Sequence, residues 1–291
     1  MFGLLTVVCF FALSELMTAQ SKPTAAQDER GLTSYVEFGG TSDADGQVYE
    51  LQSNVGYTFT KHFGMDLGVP VYFVSASSSA STSTTGGTSD HGIGNPSVDL
   101  RWKFPNAKLN YGSVVTGSAP LADSKKGLST GRATFDWTNR IDRSFSMVNP
   151  FFEAGFSNTT SDSRLFVRPY TTLGLNTHFQ GGASVDVWKS ISVGGSLYDI
   201  VPFGNQTVFS RVTGASGSGA GASHGRNFQT NQQTTGAADI AKDDGFSTFV
   251  DFSPNSYMDA ELGYTRSIHY ALNSVSFSVG FNVRRLLHKS Q

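Results

Sequence analysis

Cysteine is almost absent from this sequence, and charge and long apolar runs are scarce as well. The one cysteine, Cys9, stands in an apolar stretch at the N-terminus, so the remaining chain has no disulfide and no thiolate to work with. No pair of small residues precedes Cys9 as a lipoprotein signal would require. Charged residues fill 15% of 291 positions, well below the roughly 25% of an average soluble domain. A formal charge of -2 without a basic cluster argues against a nucleic-acid partner. Beyond the N-terminal stretch, no apolar run reaches the roughly 20 residues of a membrane-crossing helix.

Ser, Thr, Asn and 32 Gly stand where the charge is missing. Few charges without many apolar residues suit a barrel with an apolar outside and a polar lumen. Residues 2–13 are apolar and are followed by the small Thr18 and Ala19, which reads as a secretory signal cut near residue 19 or 20. The expected division is a signal over 1–20, a polar lead-in over 21–31, a barrel over 32–284 and a basic tail over 285–291.

The barrel reading rests on residues 48–73. Tyr49, Leu51, Val55, Tyr57 and Phe59 alternate with Glu50, Gln52, Asn54, Gly56 and Thr58, and after three polar residues Phe63, Met65, Leu67, Val69, Val71 and Phe73 alternate with Gly64, Asp66, Gly68, Pro70 and Tyr72. A period of two marks strands. Each run is about the 9–11 residues with which a tilted strand crosses the hydrocarbon core. The same division recurs to give about twelve strands, with long connections alternating strictly with short ones. The expected fold is therefore all-β, a single transmembrane antiparallel up-and-down barrel with long external loops and short periplasmic turns. Trp102, Trp137 and Trp188 fall near strand ends that lead into short turns, as an interfacial girdle should, although Trp188 is out of phase with Val185 and Val187. Pro70 cannot donate to a ladder, so a bulge or the outer rim is expected there.

The inward parity collects Glu50, Asp66, Asp99, Arg101, Lys103, Arg132, Asp136, Arg140, Glu153 and Asp186 as candidate lumen-lining residues. They read as a mutually satisfied polar network, with some of Arg101, Lys103, Arg132 and Asp136 lining the lumen together. Catalysis finds little support. His269 near Ser267, and His91 beside Asp90, are the only candidates for an enzyme acting on lipid, and no nucleophile, base and orienter are fixed together. Asp43, Asp45 and Gly46 lack the distal Glu of a calcium loop, and turn chemistry explains them. No metal and no cofactor are expected. A structural or adhesive barrel acting through the Ser/Gly/Thr-rich residues 75–92 and 203–244 is the remaining alternative.

GYTFTKHFGMDLGVPVYF at 56–73, GIGNPSVDLRWKF at 92–104 and SLYDIVPFGNQ at 196–206 resemble the outer-membrane barrels named for the meta-pathway of phenol degradation. The resemblance covers most of the mature chain loosely. It implies a channel in the cell outer membrane for small, often hydrophobic or aromatic, compounds, with lipid and solutes as its partners. It carries no catalytic residues and no substrate identity.

Overall fold

The computed structural model describes residues 30–76, 89–106, 108–160, 162–212 and 233–288. The signal segment lies outside these residues, as do 77–88 and 213–232 of the two Ser/Gly/Thr-rich loops.

The wall begins with β1 (Gly31–Asp43), β2 (Gly46–Thr60) and β3 (Phe63–Ala76), continues through β4 (Ser89–Ile93), β5 (Ser97–Phe104), β6 (Asn110–Ser118), β7 (Thr134–Asp142) and β8 (Val148–Ser157), and leaves it briefly for β9 (Tyr170–Leu173). It resumes with β10 (Asn176–Trp188) and β11 (Ile191–Pro202), leaves again for β12 (Gln206–Ser210) and β13 (Gln233–Gly236), and ends with β14 (Asp243–Asn255), β15 (Met258–Ser267) and β16 (Leu272–Asn282). All pairings are antiparallel, and β1 returns to β16 with Tyr35 opposite Asn282, which closes the cylinder. Because β4 and β5 both pair with β3, one above the other, they form a single interrupted wall strand. The result is a closed barrel of twelve strands.

Alternation decides which face is which. Leu67, Val55 and Leu262 are each more than 50% exposed on the outside, whereas their neighbours along each strand point into the lumen. An apolar belt of this size belongs in lipid. Leu67→Arg should therefore weaken the barrel by about 2–4 kcal/mol in denaturant unfolding from lipid vesicles. A loss near zero would mean that this face does not meet lipid. Around the ends of β2–β6 that lead into short turns, Phe59, Phe63 and Trp102 stack in sequence, and His62, Phe104 and Tyr111 continue the aromatic band. Trp137 sits mid-strand on the outer face instead of at a strand end. Trp188 is out of phase because the β10–β11 register slips between Asp186 and Trp188.

Three expectations are corrected. Pro70 is neither bulged nor at the rim, since it pairs in register with Gln52. Its carbonyl accepts from the Gly94 amide at 2.8 Å, and within a strand the amide and carbonyl of one residue point to the same side, so the missing donor faces residues 94–96, where the neighbouring strand is interrupted. The connection between β1 and β2 is only residues 44–45, where Asp43 Oδ1 accepts from the Asp45 and Gly46 amides, so long and short connections do not alternate strictly. The last strand stops at Asn282, and Val283–His288 form α1, where strand and basic tail were expected to meet.

Candidate functional site

The wall's inward rows place the charged candidates. One row runs Gly56, Asp66, Asp99, Thr116, Asp136 and Ser157 across β2, β3, β5, β6, β7 and β8. In the next row Arg101 lies opposite Gly64 and Val114, and in the one beyond Lys103 faces Gly112, which faces Arg140, which faces Glu153. Neighbours along these rows satisfy one another. Arg101 forms an ion pair with Asp66, which also accepts from Thr33 Oγ1 at 3.0 Å. Thr116 donates to Asp99 at 2.7 Å, Arg140 to Glu153 at 2.5 Å, and Ser192 to Asp186 at 2.6 Å. Arg132 is set apart: it is exposed in the loop before β7, where Gly131 turns with φ of 70°, so the strand parity of Asp136 does not reach back to it.

The mouth above these rows is filled by the chain itself. Residues 162–168 descend into the lumen as a tight turn in which Ser163 and Phe166 exchange backbone hydrogen bonds of 3.0 and 3.1 Å, with Arg164 and Leu165 at the tip. Arg164 pairs with Asp259 and lies 3.5 Å from Glu37. Ser276 donates to the Leu165 carbonyl, and the Val167 amide donates to Thr41 Oγ1 at 2.8 Å. Tyr35 joins Glu37 and Asp259 beneath the tip, and only a glycine at 280 leaves room, because a Cβ there would lie 1.7 Å from the Tyr35 hydroxyl.

Arg168 donates to Asp243 at 2.5 Å and to Tyr170 at 3.0 Å, with both charged side chains about 5% exposed. Burial works against its charge, but Tyr170, Asp243 and Tyr198 outweigh that and hold the guanidinium above its ordinary range. Arg211 pairs with Asp162 and lies 4.4 Å over the ring of Tyr72. Burial opposes its charge too, and Asp162, Tyr72 and Glu50 more than compensate.

Apolar packing completes the plug. Val48 and Val74 pair across β2 and β3 on the inward face, and with Tyr72 they bury Leu128, Val167 and Val212 from three different loops. Apolar residues on the inner wall of a polar lumen need such a cover. Beside them β9, β12 and β13 make a small separate sheet whose Tyr170 and Val208 pack with Ala241 and Tyr270. The long loop after β11 thus folds over the mouth through its described residues. Arg168, Arg211 and the inserted turn were not legible as site residues, although Val48 and Val74, apolar at inward positions, signal that something covers them.

Below the plug lies a cavity of about 500 Å³, lined by Glu37, Glu50, Asp99, Asp136, Arg164 and Arg211 among many Ser, Thr and Asn side chains. Near it, Thr138, His178 and Asp136 meet: Thr138 Oγ1 is 2.9 Å from His178 Nε2, and His178 Nδ1 is 3.7 Å from Asp136. Gly155 makes the room, since a Cβ there would lie 2.1 Å from His178 Nε2. This grouping does not prepare a nucleophile, because Thr138 gives its proton directly to Asp136 at 2.6 Å. The pairs considered for catalysis do not assemble either. Ser267 donates to Asp243 while the exposed His269 lies edge-on to Tyr270. His91 stacks on Phe73 outside the wall, and Asp90 is paired with Lys126 at 3.0 Å.

No protein-family model matches the sequence, and no curated protein matches it. Solved structures do match its fold. The COG4313 outer membrane channel from Pseudomonas putida F1 superposes with a TM-score of 0.57 at 14% identity, over 90% of this chain and 99% of that one. This chain has the fold of an outer-membrane channel barrel. Weaker similarities include the NanC porin, with a TM-score of 0.45 at 6% identity over 86% of this chain and 99% of that one. The CymD monoaromatic hydrocarbon channel follows, at 0.39 and 6% over 87% and 88%.

Proposed function

We propose that the protein is an outer-membrane channel through which small molecules cross by passive diffusion. The observation that carries this reading is the cavity of about 500 Å³, polar inside and enclosed by a twelve-stranded wall whose outer face is apolar. The wall supplies what a bilayer demands, since its strands hydrogen-bond to one another in a ring that β1 and β16 close. The cavity supplies a stopping place for a solute, and the turn at 162–168 narrows the way in.

The resemblance to the phenol-degradation barrels extends the reading to small hydrophobic or aromatic compounds. Tyr72, Phe166 and Tyr198 put aromatic rings inside the mouth, where Arg211 and Arg168 now lie over them. The reading requires no cofactor and assigns no catalytic residue.

Reconstituted into liposomes, the purified protein should admit small solutes and swell the vesicles, and in planar bilayers it should open discrete conducting steps. A barrel that shows heat-modifiable migration, and is therefore folded, yet gives neither swelling nor conductance would overturn the proposal.

A further inference from the structure

We propose that the lumen selects small organic cations, aromatic amines included, over anions and neutral solutes of the same size. This deepens the channel reading and rests on it. Acidic side chains dominate the cavity: Glu37, Glu50, Asp99, Asp136 and Asp162 face it, against Arg164 and Arg211. Both arginines are already engaged, Arg164 by Glu37 and Asp259 and Arg211 by Asp162. Among the described residues the Thr116 hydroxyl is the one hydrogen-bond donor to Asp99, and it is a neutral partner. Glu50 also faces the cavity, but its charge is shared with the nearby Arg211. Carboxylates fixed in a confined passage attract cations and repel anions.

The chain's own plug provides a second, independent indication of the ligand. Arg164, Arg168 and Arg211 each sit in a carboxylate nest, and two of these nests also present aromatic faces. Arg211 lies over the ring of Tyr72 while paired with Asp162, and Arg168 lies 4.5 Å over Phe166 and 5.8 Å over Tyr198 while paired with Asp243. Arg164 is cradled by Glu37 and Asp259. A guanidinium between a carboxylate and a ring occupies the kind of place that a diffusing alkyl- or arylammonium ion would take. The mouth therefore holds tethered organic cations, and below them the lumen offers Asp99 to a free one.

The test is electrical, on the full-length protein in planar bilayers under a potassium chloride gradient. The expected reversal potential has the sign of potassium permeation, and spermidine added to one side blocks the current. Glu50→Gln combined with Asp99→Asn should move the reversal potential toward zero and weaken the spermidine block by about tenfold, the scale of one lost charge-assisted contact. If the double variant loses heat-modifiable migration, Asp99→Asn alone serves in its place. Conduction without cation preference, or a variant whose selectivity and block match the original, overturns this inference and leaves the channel standing. A folded wild-type barrel with no conductance at all overturns the channel reading, and this inference with it.

Discussion

Arg211→Gln should raise the single-channel conductance severalfold, whereas Arg164→Gln alone should change it little. The two side chains anchor the same inserted segment in different surroundings. The Arg211 side chain is 6% exposed, and its partner Asp162 is 13% exposed. Removing one member of such a buried pair leaves the other charge stranded, at a cost of about 3–5 kcal/mol. Arg164 reaches Glu37 and Asp259 from the turn tip with its side chain still 39% exposed to the lumen, and pairs that open to water are worth roughly 0–1 kcal/mol. Without the Arg211 guanidinium, residues 162–168 keep the Val167 amide on Thr41 and Arg168 on Asp243, and the residue-211 amide stays on the Pro169 carbonyl, but Asp162 loses its ion pair to the loop after β12 and Tyr72 loses the cation over its ring. The segment should then swing out of the mouth for a larger share of the time. Single-channel recording reads this as larger or longer openings, and protease nicking near 162–168 should rise in parallel. Equal effects from both substitutions would show that burial does not rank these anchors.

The wall was largely legible in the sequence because its physics is local. Strands with lipid on one side and a polar lumen on the other must alternate, so the faces of Glu50 and Asp66, and of Leu67 and Val71, could be read from parity alone. The closing pair of β1 and β16 follows from an even count of alternating segments. The mouth was not legible, because its elements are short and their partners lie far along the chain. Strand β12 pairs with β9 across more than thirty residues and with β13 beyond residues 213–232, and no periodicity in four or five residues could announce that. Parity also fails where the backbone departs from an extended ladder. Gly131 detaches Arg132 from the β7 pattern, the slip after Asp186 shifts Trp188, and Pro70 displaces its consequence onto the neighbouring strand. Among the lumen candidates, Glu50, Asp99 and Asp136 meet at the cavity, whereas Lys103, Arg140, Glu153 and Asp186 lie on inward strand positions away from it.

Asp243→Ala should loosen the mouth by about 3–5 kcal/mol while leaving the wall closed. Asp243 is the point where three parts of the molecule meet. It accepts from Arg168 at 2.5 Å, from Ser267 at 2.6 Å and, more weakly, from the Tyr198 hydroxyl at 3.4 Å, and it is 3% exposed. Cutting it back to a methyl leaves the buried Arg168 guanidinium without its carboxylate, and also leaves the hydroxyls of Ser267, Tyr198 and Tyr170 short of an acceptor. The loss falls on the inserted segment and the small sheet, because the β11–β14 and β14–β15 ladders close through backbone bonds that the substitution does not touch. Hydrogen exchange should therefore speed up at residues 162–173 and 206–212 and stay slow along β14 and β15, with heat-modifiable migration retained. Replacing both charges, Arg168→Met with Asp243→Leu, should recover part of the loss, since a buried ion pair exchanged for apolar groups costs far less than half a pair left behind. Recovery would be incomplete because Ser267, Tyr198 and Tyr170 still lack this acceptor. If the double variant were as loose as Asp243→Ala, the hydroxyl network rather than the stranded arginine would be what holds the mouth shut.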